Sequence, residues 1–114
     1  MITPKQVERL IGLHVEMLCF AQFCMYMHFE AQILLTVEAS FEHVHGVTRK
    51  SQLTTFPATE SSLIRILDCS IVSASVDPNG DLHLTFSNGD TLRVYKQPEF
   101  ESYQLRIGNE ELIG

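Results

Sequence analysis

From Val72 to Val94 the apolar side chains fall on even positions: Val72, Ala74, Val76, Leu82, Leu84, Phe86, Leu92 and Val94. Ser73, Ser75, His83, Thr85, Thr91, Arg93 and Tyr95 fall on the odd ones. Alternation of this kind predicts strands with one buried and one wet face. Two Asn-Gly pairs, Asn79-Gly80 and Asn88-Gly89, mark the corners, and parity selects their type. A two-residue turn at Asn88-Gly89 would set Leu84 opposite Arg93, core against solvent. A three-residue loop, Ser87-Asn88-Gly89, sets Leu84 opposite Leu92 and places Gly89 where a left-handed residue is needed. Pro78-Asn79-Gly80 reads the same way and sets Val76 opposite Leu82. The result is a three-strand antiparallel meander. Tyr103, Leu105 and Ile107 alternate in a further strand over 102–108.

The same pattern recurs 57 residues earlier, where Val15, Met17, Cys19, Met25, Met27, Phe29, Leu35 and Val37 occupy the eight core positions. The flanks agree. Thr3 reads as a helix N-cap, with Pro4 at the first helical position and Gln6 closing a capping box, and a similar start is expected from Thr59. Val7 and Leu10 correspond to Ile64 and Leu67, and "FEHV" at Phe41 to "FESY" at Phe100. The expected fold is therefore α+β: a single domain, 1–114, of two α-β-β-β(β) repeats, about 3–53 and 59–108, with pseudo-two-fold symmetry and antiparallel meander sheets.

A chain of this size that is 45% hydrophobic and 19% charged can bury a core without staples. Its net charge of −6 disfavours nucleic acid and anionic membrane as partners and suits a basic protein. The longest apolar stretch, "MLCFAQFCMYM", is too short to span a bilayer. The first ten residues do not read as a secretory signal, and three cysteines with no CxxC suggest reduced thiols, so a cytoplasmic location is expected.

Candidate chemistry is sparse. His43 and His45 alternate beside Glu42 and are metal-ligand candidates, with His14 or His28 as a third ligand; their plain reading is polar residues at a strand end. Ser61 and Ser62 lack a nucleophile-elbow context. Phosphate-loop patterns are absent, and no cofactor is implied. The differences between the halves are more informative. Where one carries "DPNGD" and "SNGDT", the other carries "FAQFC" and "EAQIL". Turn tips ordinarily hold Gly, Pro, Asn or Asp, yet here they hold Phe20, Phe23, Ile33 and Leu34. Leu18, Phe20, Tyr26 and Leu34 are read as an apolar outward face, covered either by the chain's own helices or by a partner. A partner surface of Phe20, Phe23 and Tyr26, with Glu99 and Glu101 facing a basic protein, is the expected site.

The stretch from Leu67 to Ile107, with Leu84, Phe86, Asn88, Gly89, Leu92 and Val94 followed by Glu99, Phe100, Glu101 and Tyr103, resembles a little-characterised family of small bacterial proteins. The family's leading glycine is replaced here by Asp68 or Cys69, although Leu10-Ile11-Gly12 keeps it in the first half. Some such proteins serve as immunity proteins, so the resemblance implies toxin neutralisation and no catalytic residue. The expected function is a small acidic protein-binding module, an immunity protein or homodimer, and not an enzyme. Two alternatives stand beside it. One is a small-ligand binder with a cavity lined by Met25, Met27, Phe29 and Phe86; the other is a metal-assisted enzyme using His43 and His45.

Overall fold

The computed structural model describes residues 2–97 and 102–114. Helix α1, Pro4–Val7, starts with the expected capping box: Thr3 Oγ1 accepts the Gln6 N–H, and the Gln6 side chain accepts the Thr3 N–H. It runs at once into a 3₁₀ turn, Glu8–Leu10. Strands β1 (Val15–Phe20), β2 (Met25–Phe29), β3 (Ile33–Val37), β4 (Phe41–Val44) and β5 (Ser51–Thr54) follow. After a second 3₁₀ turn, Leu63–Ile66, come β6 (Ile71–Val76), β7 (Leu82–Phe86), β8 (Thr91–Val94), β9 (Tyr103–Ile107) and β10 (Glu110–Ile113).

The fold is mainly β, not α+β. Single helical turns are marginal unless something lengthens them, and here each is stopped by a left-handed residue, Gly12 at φ 90° and Asp68 at φ 64°. The freed backbone crosses between the halves instead. Gly12 N–H donates to Ile71 O and Asp68 N–H to Val15 O, both at 2.8 Å. Aspartate tolerates this conformation better than most residues, so Asp68 takes the conformation that glycine takes in the first half. The second expected cap is also absent, since the turn at Leu63 has no side-chain cap.

The sheets have the orders β1-β2-β3-β9-β10 and β5-β4-β8-β7-β6. Neither half makes a sheet alone. The hairpin β4–β5 leaves the first half and pairs with β8, while β9–β10 leaves the second and pairs with β3. The expected self-contained α-β-β-β units are thus replaced by two sheets that exchange their last hairpins. Strand for strand the sheets match: Tyr103 lies opposite Val37 as Phe41 lies opposite Val94.

The two glycine corners follow parity. Val76 pairs with Leu82 and Leu84 with Leu92. Asp77 N–H bonds Asp81 O and Phe86 N–H bonds Asp90 O, closing loops whose glycines have φ 88° and 90°. Parity fails in the strands that lead into the meanders. A bulge between Val15 and Met17 in β1, and another between Ile71 and Ser73 in β6, each insert a residue. Val15 therefore points inward, but so do Leu18 and Phe20, opposite Met27 and Met25. Met17 and Val72, expected in the core, are exposed, and Ile71 is buried in their place. Leu18 and Phe20 thus lie not on the outward face with Tyr26 and Leu34 but at the open margin of the core.

One continuous core fills the space between the sheets, with Met25, Met27, Leu35 and Leu105 from one and Phe41, Leu82, Leu84 and Phe86 from the other. Tyr103 ties the layers together, its hydroxyl donating to Gly80 O at 2.9 Å. Burial, with the charges of Asp81 and Asp77 nearby, pushes this phenol up to about 12, so it remains a donor.

The corner at Gly89 also sets the close approach of β4's exit. A Cβ on Gly46 would lie 2.5 Å from the Gly89 carbonyl carbon. Gly46→Ala is expected to cost about 1–3 kcal/mol by overpacking against backbone, and Gly89→Val about 2–3 kcal/mol through its positive φ. Gly108→Asn, at φ 61° with open space around it, should cost less than about 1 kcal/mol. Urea unfolding of the three variants checks the ranking.

Candidate functional site

Position 90 follows the Asn88-Gly89 corner on the inward parity of β8, the side of Leu92 and Val94. In the matching strand that position is Ile33, opposite Phe29. Asp90 is 0% exposed and His43, on the inward side of β4, is 2% exposed. His43 lies opposite Leu92 where Leu105 lies opposite Leu35 in the other sheet. One sheet thus carries a buried acid and imidazole where its counterpart carries isoleucine and leucine. Burying such groups is costly unless each polar atom is satisfied.

Here each is satisfied. His43 Nε2 lies 2.7 Å from Asp90 Oδ2, and His43 Nδ1 lies 2.6 Å from Ser62 Oγ. Arg65 grips the same carboxylate, Nε to Oδ2 at 3.1 Å and Nη2 to Oδ1 at 3.3 Å. Gly46 N–H donates to Oδ1 at 2.8 Å. Asn88 supports both ends: its Oδ1 accepts the Asp90 N–H, and its Nδ2 donates to Arg65 O. Ser62 is placed by its own N–H, which donates to Gln52 Oε1 at 2.6 Å. Burial would push the Asp90 carboxyl up, but Arg65, the Gly46 N–H and His43 together outweigh it and hold the group well below the usual carboxylate range. An ionised Asp90 calls for a proton on His43 Nε2, and in that neutral tautomer the Nδ1 lone pair accepts the Ser62 hydroxyl.

The two histidines considered as metal ligands are thus kept apart in role. His43 has both nitrogens engaged, and His45 Nδ1 accepts the N–H groups of Val47 and Thr48. His14 is held by Glu30, its N–H at 2.7 Å and Nδ1 at 3.1 Å from Oε1. Among the described residues no group of three His, Cys, Asp or Glu side chains is placed to hold a metal ion. Met25, Met27, Phe29 and Phe86, considered as a ligand cavity, are packed in the core. The three cysteines are free thiols. Among the described residues no helix is long and apolar enough to cross a membrane.

The expected partner residues lie around the β1–β2 corner, where Phe20 is 43% and Phe23 64% exposed. They do not form one patch. Phe20 looks into a hollow of about 400 Å³ with Leu18, Ile64, Leu67 and Glu60. Phe23 lines a second hollow with Phe56, Ala39 and Glu38. Tyr26 faces a third on the outward side, beside Leu34 and Glu38. Glu99 and Glu101 lie outside the described residues. Neither Asp90 nor Ser62 belongs to the site expected from the sequence. The available signal was the parity of β8, which puts an aspartate on the core side.

Asp90 should support stability in a pH-dependent way. Its proton affinity is lower in the folded chain, so the unfolded chain binds more protons in acid and stability falls as pH drops below the ordinary aspartate value of about 3.9. Asp90→Asn is expected to flatten this acid limb, read as the urea midpoint against pH. His43→Leu combined with Asp90→Ile, the residues of the other sheet, should cost less than the sum of the single changes by about 1–3 kcal/mol. A double-mutant cycle of unfolding free energies measures that coupling.

No curated protein and no solved structure matches the chain. A family model described as a family of unknown function, DUF6188, matches residues 7–113. The match runs from the end of α1 to the last residue of β10, across both sheets, and the chain belongs to this family.

Proposed function

We propose that the protein is a small acidic protein-binding module whose partner docks on the aromatic corner between β1 and β2. The observation that supports this most directly is the exposure of Phe20, the last residue of β1, and of Phe23 in the turn after it, where the matching turn of the other sheet carries Pro78-Asn79-Gly80. Exposed aromatics beside shallow hollows are the anchors that specific interfaces use. The hollows under Phe20 and Phe23 are rimmed by Glu60 and Glu38, and no lysine or arginine lines either. An apolar centre with an acidic rim fits a basic partner and speeds its encounter. On this reading the matched sheets derive from an internal repeat in which one copy kept polar turns and the other acquired a binding corner. The resemblance to a little-characterised family, some of whose members serve as immunity proteins, supports a basic toxin domain as the partner.

The test pairs the full chain with the product of the gene adjacent to its own. Phe23→Asp should weaken binding at least tenfold while leaving the melting temperature within about 2 °C, since the changed side chain is at a surface tip. Glu38→Lys with Glu60→Lys should slow association and reduce its salt dependence. Unchanged binding in both variants would exclude this corner. Sedimentation of the chain alone reports the homodimer reading: a dimer for the native chain and a monomer for Phe23→Asp would make the occupant a second copy.

A further inference from the structure

The buried cluster has a feature that a purely structural polar network does not require. Its outer member is a hydroxyl. Ser62 Oγ, His43 Nδ1, His43 Nε2 and Asp90 Oδ2 form a line with contacts of 2.6 and 2.7 Å. The imidazole and carboxylate are enclosed, whereas Ser62 is only partly buried. Serine, imidazole and carboxylate in that order are the groups that convert a hydroxyl into a nucleophile, and the relay is recognised by geometry rather than by sequence position. The imidazole is inserted with its two nitrogens exchanged relative to the usual arrangement, Nδ1 toward the serine. The ring can accept the hydroxyl proton at either nitrogen, provided that the carboxylate holds the other N–H.

We propose that Ser62 is an activated nucleophile that attacks carboxylic esters, with His43 as its base and Asp90 as the residue that sets the imidazole tautomer. Ser62 Oγ attacks the carbonyl carbon while its proton passes to His43 Nδ1. The ester C–O bond breaks, and the leaving alkoxide takes that proton from His43. Water, deprotonated by the same nitrogen, then releases the acyl group as a carboxylic acid and restores the serine.

The acyl side is suggested by the neighbouring surface. Ser61 lines the hollow of Leu18, Phe20, Ile64 and Leu67 immediately before Ser62 in the chain, which suits an apolar acyl chain. Arg65 follows Ser62 by one 3₁₀ turn, Arg65 N–H donating to Ser62 O at 3.3 Å, and side chains three apart in such a turn eclipse. Its side chain is 40% exposed, and its grip on Asp90 uses Nε and Nη2. Nη1 stays outside that fork, as the cationic donor for the developing oxyanion. The backbone donors nearest Ser62 are committed elsewhere, the Ser62 N–H to Gln52 and the Leu63 N–H to Ser61 Oγ. Arg65 also withdraws charge from Asp90, so reaction is expected to be slow and best seen as a single covalent event.

The experiment is labelling of the full chain with a long-chain alkyl fluorophosphonate, in which Ser62 Oγ displaces fluoride from phosphorus. Intact mass should show one adduct, located by peptide mapping on Ser62. Ser61→Ala should keep the adduct and Ser62→Ala should lose it. His43→Gln, which can hold both hydrogen bonds but takes no proton, should label at least tenfold more slowly. Asp90→Asn should do likewise, because an amide donating to Nε2 moves the ring proton to Nδ1 and removes the acceptor for Ser62. Three results overturn the proposal: no adduct beyond that on the heat-unfolded chain, an adduct that survives Ser62→Ala, or unchanged rates in both the His43 and Asp90 variants with the fold intact by circular dichroism. The serine pair decides the matter if the buried variants fail to fold.

Discussion

The fold depends on two antiparallel ladders that join the halves of the chain, β3 with β9 and β4 with β8. A three-strand meander left to itself presents two edges of unpaired N–H and C=O groups and a single apolar face. Exchange of the last hairpins widens both sheets to five strands and brings their apolar faces over one core. Both ladders join residues far apart in sequence, so their loop-closure entropy must be met before the core can reward it. The shorter bridges at Gly12, Asp68 and Ile71 reinforce the same junction. The halves are consequently not separable units, whatever their similarity in pattern.

The bulges that open β1 and β6 determine what the surface offers. Each inserts one residue, bends the strand, and reverses its parity relative to the ladder. In β6 the bulge turns Val72 outward and Ile71 inward, and Ala74 and Val76 follow on the core side opposite Leu84 and Leu82. In β1 the same reversal carries Leu18 and Phe20 to the margin of the core beside the 58–67 segment. Phe23, in the turn that follows, lines a separate hollow with Phe56 and Ala39. The placement of Phe20 on which the proposed docking corner relies therefore follows from this irregularity of β1.

The polar cluster shows the opposite economy. Asp90 and His43 occupy places that the other sheet fills with Ile33 and Leu105, and a partly satisfied network there would be worse than hydrocarbon. Arg65 and Gly46 complete the carboxylate, while Ser62 completes the imidazole. The partners come from four separate segments: the end of β4, the connector after β5, the second 3₁₀ turn and the start of β8. This cluster pins that turn over the edge of its sheet, and it leaves a hydroxyl at the outer end of a buried relay.

Alternation and turn chemistry in the sequence were enough to determine β2, β3, β7 and β8, their register across the Asn-Gly corners, and the positive φ of Gly80 and Gly89. These are local consequences: period two is intrinsic to a strand, and loop length follows from the requirement that apolar residues share a face. The capping box at Thr3 was legible for the same reason. The tertiary structure alone decided the rest. A bulge has no mark of its own in a run such as "VEMLCF", so the faces of β1 and β6 could not be assigned from pattern. A cap fixes where a helix starts and not how long it runs, and here Gly12 and Asp68, both at positive φ, end each helical segment early. Hairpin exchange is a choice between edges with identical backbone chemistry, made by the fit of the whole core. The Ser62–His43–Asp90 line joins residues that only such an exchange brings together, which is why no spacing along the chain announced it.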